Sequence, residues 1–223
     1  MARKAEWEKL KERSAERFGE DSVFGEGSLD SRLAIVGEAP GRQEVEEGRP
    51  FVGNAGKLLD KLLEEAGIDR SKVYVTNIVK VRPTKESEGR TMNRPPRVGE
   101  IKEGIEVLRE ELELVKPKAL ILLGSTSAKA LIKKSFTLKS EHGTPFDSEV
   151  GLVALATYHP AYLLRLRGAS SEDYDQTKER VVEDLDVCCE IPWRRESART
   201  DALRLDQPTY EGLLVSRTLS PFR

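Results

Sequence analysis

The sequence predicts an α/β fold, a three-layer α/β/α sandwich with a four-stranded parallel sheet. Two observations predict it. Short runs rich in Val and Ile recur along the middle of the chain, and a helix-period segment follows each of them. Parallel neighbours need crossover connections, so this alternation implies helices on both faces of the sheet. Arg32 to Val36 is continuous, apolar and bounded by Gly37, as expected of a strand buried on both faces. Asn54 is placed to cap a helix in which Leu58, Leu59, Leu62 and Leu63 recur at helical spacing, with Gly67 at its C-terminal end. Val73 to Val79 forms the second strand. Ile101, Ile105, Leu108, Leu112 and Val115 mark one face of the next helix, which Pro117 should stop. Ala119 to Leu123 is the third strand, followed by a helix from Gly124 to about Lys134. Leu152 to Thr157 is the fourth, and a last core helix runs from about Ser171 to Val187.

The chain of 223 residues suits one ordinary domain or one domain plus an appendage. The expected division is an N-terminal helical segment over 1–24, packed on the core through Trp7, Leu10 and Phe18, then an α/β domain over 25–189. Residues 190–223 hold six arginines, five acids, three prolines and no lysine, with little apolar periodicity, which predicts a mobile tail. Lys+Arg 37 against Asp+Glu 39 gives a net charge of −2, so a uniformly basic coat for nucleic acid is excluded while a local patch is not. No apolar run reaches the ~20 residues of a membrane span, and the N-terminal stretch lacks the apolar core of a signal peptide, so no membrane partner and a cytoplasmic location are expected. The only cysteines, Cys188 and Cys189, are adjacent, which argues against a disulfide framework and a cysteine-ligated metal.

Ligands of open parallel sheets bind beyond the carboxyl ends of the strands. Four segments lie there: Gly37 to Glu44 continuing to Gly56, Asn77, Gly124 to Lys129, and His159 to Arg165. Each has a plainer reading. The first glycine cluster matches no phosphate-loop pattern, and a tight turn alone would explain it. Glu38 alone would be a solvated acid. Asn77 sits in an otherwise apolar strand, where a buried amide needs partners; a structural hydrogen bond and a match to a base edge are even alternatives. His159 is one of two histidines, either a satisfied core imidazole or a donor to a developing oxyanion. Phe51 is either core or a stacking surface for a flat heterocycle. Between Lys80 and Arg97 six basic residues face two glutamates, and Lys129 and Arg165 extend this basic rim, which suits phosphate contacts.

The motifs GEAPG (37–41), GRPFVGNAGKLL (48–59), YVTNIVKVRP (74–83), LILLGSTSAKALI (120–132) and YHPAYLLR (158–165) resemble, in order and spacing, the bacterial and archaeal family 4 uracil-DNA glycosylases. The resemblance covers about residues 23–187. It implies the uracil-DNA glycosylase fold and an enzyme that flips deoxyuridine out of DNA and hydrolyses its N-glycosidic bond, leaving an abasic site. By position, it implies that Glu38, Glu44 and His159 are catalytic. Uracil would be bound by Gly37, Ala39, Gly41, Phe51, Asn77 and His159, with Phe51 stacked on the ring and Asn77 reading O4 and N3. DNA contacts would come from Lys80, Arg82, Ser125, Ser127, Lys129, Leu163, Leu164 and Arg165, the last three as a loop wedged into the duplex. The expected partner is uracil-containing DNA, bound by a monomer. One departure is large. Family members usually carry four cysteines for an iron–sulfur cluster, and the corresponding positions here are near Leu10 and Arg13, at Val81 and at about Gly104. No cofactor is therefore expected, and the conformation of residues 80–104 becomes an open point. The related family X proteins, which trap uracil-DNA covalently, use a histidine in a loop where residues 82–97 have none, and a Gln where Ala39 stands. Trapping ranks below turnover on that ground; a non-catalytic DNA-binding module of the same fold is the other alternative.

Overall fold

The computed structural model describes residues 2–190. The expected tail beyond that point lies outside the described residues. Helix α1 (Ala2–Phe18) leads to a two-residue strand β1 (Glu26–Gly27), then β2 (Leu33–Gly37), a short α2 (Arg42–Glu47) and α3 (Asn54–Glu65). Strand β3 (Val73–Asn77) is followed by a small hairpin of β4 (Thr84–Ser87) and β5 (Arg90–Asn93), then by α4 (Val98–Val115). β6 (Ala119–Leu123), α5 (Ser125–Leu131), α6 (Leu138–Glu141), β7 (Pro145–Asp147), β8 (Val153–Thr157), α7 (Pro160–Ala169) and α8 (Ser171–Glu190) complete the domain.

The sheet has six strands in the order β1-β3-β2-β6-β8-β7. The four expected strands form its parallel centre, in which Gly37 is level with Asn77 and Leu123 with Thr157. The two edge strands run antiparallel and are too short for any sequence period to reveal. Every residue of β2, β3 and β6 is buried. Side chains alternate between faces: Ala34, Val36, Leu120, Leu122, Ala154 and Ala156 share one cluster with Leu108, Leu112 and Val115 of α4 and with Ala128 and Leu131 of α5. Helices α3, α7 and α8 pack on one another, and α8 lies against β6 and β8. In α3, Leu58, Leu59, Leu62 and Leu63 are all buried, worth roughly 1.5 to 3 kcal/mol each. Gly53 rather than Asn54 is its N-cap, and Gly67 follows its end with φ 68°. Helix α4 ends at Val115, before Pro117.

Because β2 is followed in space by β3 on one side and by β6 on the other, the strand order reverses between β2 and β6. This switch point is where a crevice opens at the carboxyl ends. Three local differences from the sequence reading matter there. The second strand ends at Asn77, after which the Ile78 and Val79 amides donate to the carbonyls of Gly37 and Glu38, both at 3.0 Å. Residues 84–93 are not an open loop but a hairpin, closed by Glu88 and Gly89 at φ 51° and 71°, the two positive values that a two-residue hairpin turn requires. The segment after His159 is not a loop; it is the start of α7.

Candidate functional site: a cleft at the strand switch point

A cavity of about 600 Å³ opens above β2 and β6, lined from all four predicted segments. Glu38, Ala39, Gly41, Glu44 and Phe51 come from the first, Asn77 from β3, Ser125 from α5, and His159 and Arg165 from α7. Gly37 sits behind them. A Cβ there would run into the Asn77 side-chain oxygen and the Phe51 ring, so its absence lets both approach. Phe51 has a left-handed backbone, φ 56°, and its main chain lies directly on Gly56, where any side chain would collide with it. Two glycines therefore set the placement of one aromatic ring. That ring is 8% exposed and stacks with His159, centroids 6.0 Å apart and planes 28° apart.

The polar groups of the cleft divide by whether they are already satisfied. Asn77 is buried, 3% exposed, and its side-chain amide makes no hydrogen bond among the described residues. Its amide atoms are not sealed, since among the described residues Ser31 Oγ is the buried side-chain polar atom without a partner; they remain open to pair with a ligand in the cleft. The Glu38 carboxylate likewise has no partner among the described residues. Glu44 differs, since its two oxygens accept the amides of Gly41 (3.0 Å) and Gly53 (2.9 Å), tying the two glycine loops together. His159 caps α7: its Nδ1 accepts the Ala161 amide at 3.1 Å, so the proton of the neutral ring lies on Nε2. Burial, helped by the positive charge of Arg165, pushes the ring down to about 4 against an opposing pull from Glu44. At neutral pH, His159 is therefore an uncharged donor.

Three residues predicted to touch DNA are elsewhere. Lys80 is 1% exposed; its ammonium donates to Glu111 Oε2 (2.7 Å), Thr76 Oγ1 (2.9 Å) and the Asn77 carbonyl (2.8 Å). Burial pushes this lysine down and Glu111 pulls it back up. Ser127 is buried, with its hydroxyl donating to the carbonyls of Leu123 and Gly124. Leu163 is fully buried, because the helical turn aims it at the core. Leu164 is half-buried, Arg165 and Lys129 are exposed, and Arg82 donates to Asn93 Oδ1 at 2.7 Å. Within the basic segment Arg94 is also engaged, holding the Glu100 carboxyl down at about 2, which leaves Lys85, Arg90 and Arg97 as exposed charges. Asn93, Tyr158 and Tyr162 line the cleft without having been singled out. The tyrosines lie inside a motif already quoted, so the signal was present; Asn93 reaches the cleft only because the hairpin folds back.

The profile of the Uracil DNA glycosylase superfamily matches residues 24–186, and the chain belongs to that superfamily. Within it, the chain is family 4-like. It is 38% identical over 165 residues to a Type-4 uracil-DNA glycosylase of Thermotoga maritima, covering 74% of this chain and 79% of the relative. It is 37% identical over 167 residues to the Type-4 uracil-DNA glycosylase of Pyrobaculum aerophilum, covering 70% and 82%. A Type-5 uracil-DNA glycosylase of the same organism is 32% identical over 154 residues, covering 61% and 64%.

The iron–sulfur cluster implied by the family resemblance does not fit the residues at the corresponding positions. Leu10 is buried against Phe24 and Val107, Arg13 pairs with Glu110, and Val81 packs on the main core. Gly104 presses so closely on the Ile78 carbonyl that no side chain fits between them. Among the described residues no group of three or more His, Cys, Asp or Glu side chains is placed to hold a metal ion. Apolar contacts and the Lys80–Glu111 pair join α1, α4 and the exit of β3 at this place.

Proposed function

We propose that the protein removes uracil from DNA by hydrolysing the N-glycosidic bond of a flipped deoxyuridine, using its own side chains without a cluster. The observation that carries this reading is the Asn77 amide, unpaired among the described residues and open to the same cleft as the Phe51 ring and the Nε2–H of His159. Phe51 stacks on the uracil. Asn77 donates to O4 and accepts from N3–H, a pairing that cytosine reverses. As the bond from C1′ to N1 breaks, the base leaves as an anion whose charge collects at O2, where His159 donates. Glu38 orients the water that adds to C1′ and offsets the cationic character of the sugar. Glu44 holds the Gly41 and Gly53 loops around the reacting centre. Ala39 and Gly41 form the wall beside the base, and a tight fit there excludes the methyl group of thymine. Ser125, Lys129, Arg82 and Arg165 supply the contacts to the strand, and the substrate is uracil-containing DNA bound by a monomer in the cytoplasm.

The test is incubation with a labelled oligonucleotide containing one uracil, analysed on a denaturing gel with and without alkali. Alkali-dependent cleavage is the expected result. A band that survives denaturation and migrates more slowly would mean covalent trapping instead of turnover. Native binding without cleavage or adduct would make the protein a binding module.

A further inference from the structure

One buried acid has no part in the chemistry at the base. Asp184 of α8 is 4% exposed, and its carboxylate accepts from Thr157 Oγ1 at 2.6 Å and from the His142 ring, whose Nδ1 lies 3.0 and 2.9 Å from the two oxygens. Gly143, at φ 70°, is where the chain passes this carboxylate, and any Cβ there would collide with it. The three residues that lead from β8 to His159 are each held from this place. The Gly143 amide donates to the Ala156 carbonyl at 3.0 Å, Asp184 holds the Thr157 hydroxyl, and the His142 ring lies 5.2 Å from the ring of Tyr158. On the other side the Thr157 carbonyl accepts the Gly124 amide at 2.8 Å, and Gly124 lies so close to the His159 Cβ that a side chain there would crowd it.

Resting on the reading of His159 as the donor to uracil O2, we propose that Asp184 is a positioning residue: through Thr157 and His142 it fixes the end of β8, and with it the place of the His159 Nε2–H in the cleft. A buried carboxylate with polar partners contributes little net stability compared with apolar packing, but its directional bonds set where those partners lie. Such precision matters for a group that stabilises developing charge, because a misplacement of about 1 Å costs on the order of 10²-fold in rate. Neither Asp184 nor His142 lines the cleft, so their effect on the base passes through His159.

The experiment is a double-mutant cycle on single-turnover uracil excision, with Asp184→Asn, which keeps the shape of the side chain and removes one acceptor, made alone and together with His159→Ala. The expected result is a rate lower by roughly ten- to hundredfold for Asp184→Asn alone, with the half-saturating protein concentration within about twofold, and a further loss of no more than about twofold when it is added to His159→Ala. Urea unfolding of each variant gives the folded fraction by which the rates are corrected. Thr157→Val, which removes the hydroxyl donor and keeps the shape, should behave in the same way with a smaller loss, and it carries the cycle where Asp184→Asn does not fold. Equal losses in both backgrounds would overturn the proposal, making Asp184 a support of the fold at large, and so would an unchanged Asp184→Asn rate. Unmodified protein inactive on uracil-containing DNA would instead overturn the glycosylase reading, a result separable from either of these.

Discussion

Asn77 ends β3 and Lys80 follows three residues later; they are 3% and 1% exposed and have opposite surroundings. Lys80 points to the flank where α1 and α4 meet and finds three acceptors. Its partner Glu111 is satisfied too, accepting from Thr76 (2.9 Å) and from the Gly25 amide (3.1 Å) as well as from Lys80. Asn77 points to the cleft and finds none among the described residues. In a protein interior each polar atom that lacks a partner is a cost. The flank removes that cost within the chain, whereas the Asn77 amide avoids it by staying open to the cleft, where a ligand can pair with it. Burial alone does not separate structural polar groups from functional ones; the state of their hydrogen bonds does.

The comparison can be broken most severely at the flank. Lys80→Ala should destabilise the fold by about 3 to 5 kcal/mol in denaturant unfolding, because it leaves Glu111 buried without its cation. Lys80→Met combined with Glu111→Leu should recover much of that loss. A stable Lys80→Ala protein with weakened DNA binding would return Lys80 to the phosphate rim. At the cleft, His159→Ala should lower single-turnover excision by roughly 10²- to 10³-fold, as expected for loss of an oxyanion donor, together with about 0.5 to 2 kcal/mol of stability from loss of the α7 cap. Since burial holds His159 at about 4, activity should show no ionisation of this residue between pH 6 and pH 8. The native ring takes up its proton at lower pH than an unfolded one, whose pKa is near 6.5, so stability is lost as pH falls from there towards about 4. His159→Gln should flatten that part of the stability profile, measured by urea unfolding in a series of buffers.

A smaller effect should come from Asn77→Asp, which replaces the donor to O4 by a second acceptor. Excision should fall by roughly 10- to 10²-fold, from the 1 to 3 kcal/mol of a lost base-edge pairing, and unchanged rates would remove Asn77 from the site. Arg13→Ala should produce the smallest change. Its pair with Glu110 is solvent-exposed, and about 0 to 1 kcal/mol in thermal unfolding is expected. A larger loss there would mean that the contact between α1 and α4 at this pair carries structural weight.

The parallel centre of the sheet and the convergence of four segments were legible because both rest on strong periodic signals and on the rule that places ligands at carboxyl ends of strands. The misplaced residues share a different cause. Lys80 stands at the head of a basic run, and nothing local reveals a carboxylate waiting in α4. The one available hint was that Glu111 falls beside Leu108 and Leu112 on the buried face of that helix. The family resemblance places Leu163 in a loop, whereas it lies in the first turn of a ten-residue helix that starts at Pro160 behind its His159 cap. In that helix its phase, not its hydrophobicity, decides which way it faces. The hairpin at 84–93 was invisible because its strands carry no apolar alternation; β5 is exposed throughout, and only the turn at Glu88-Gly89 betrays it. The contacts between α1 and α4 are unreadable for the same reason as Lys80, since the two helices lie far apart in the chain.

Helix α7 starts on the imidazole that caps it, and Tyr162 follows three residues later on the same rigid rod. About 4.5 Å of axial rise separates them, and neither can shift without the other. The helix thus works as a gauge block. The spacing between the tyrosine ring at the cleft mouth and the imidazole deeper in the cleft is one dimension, set when the protein folds.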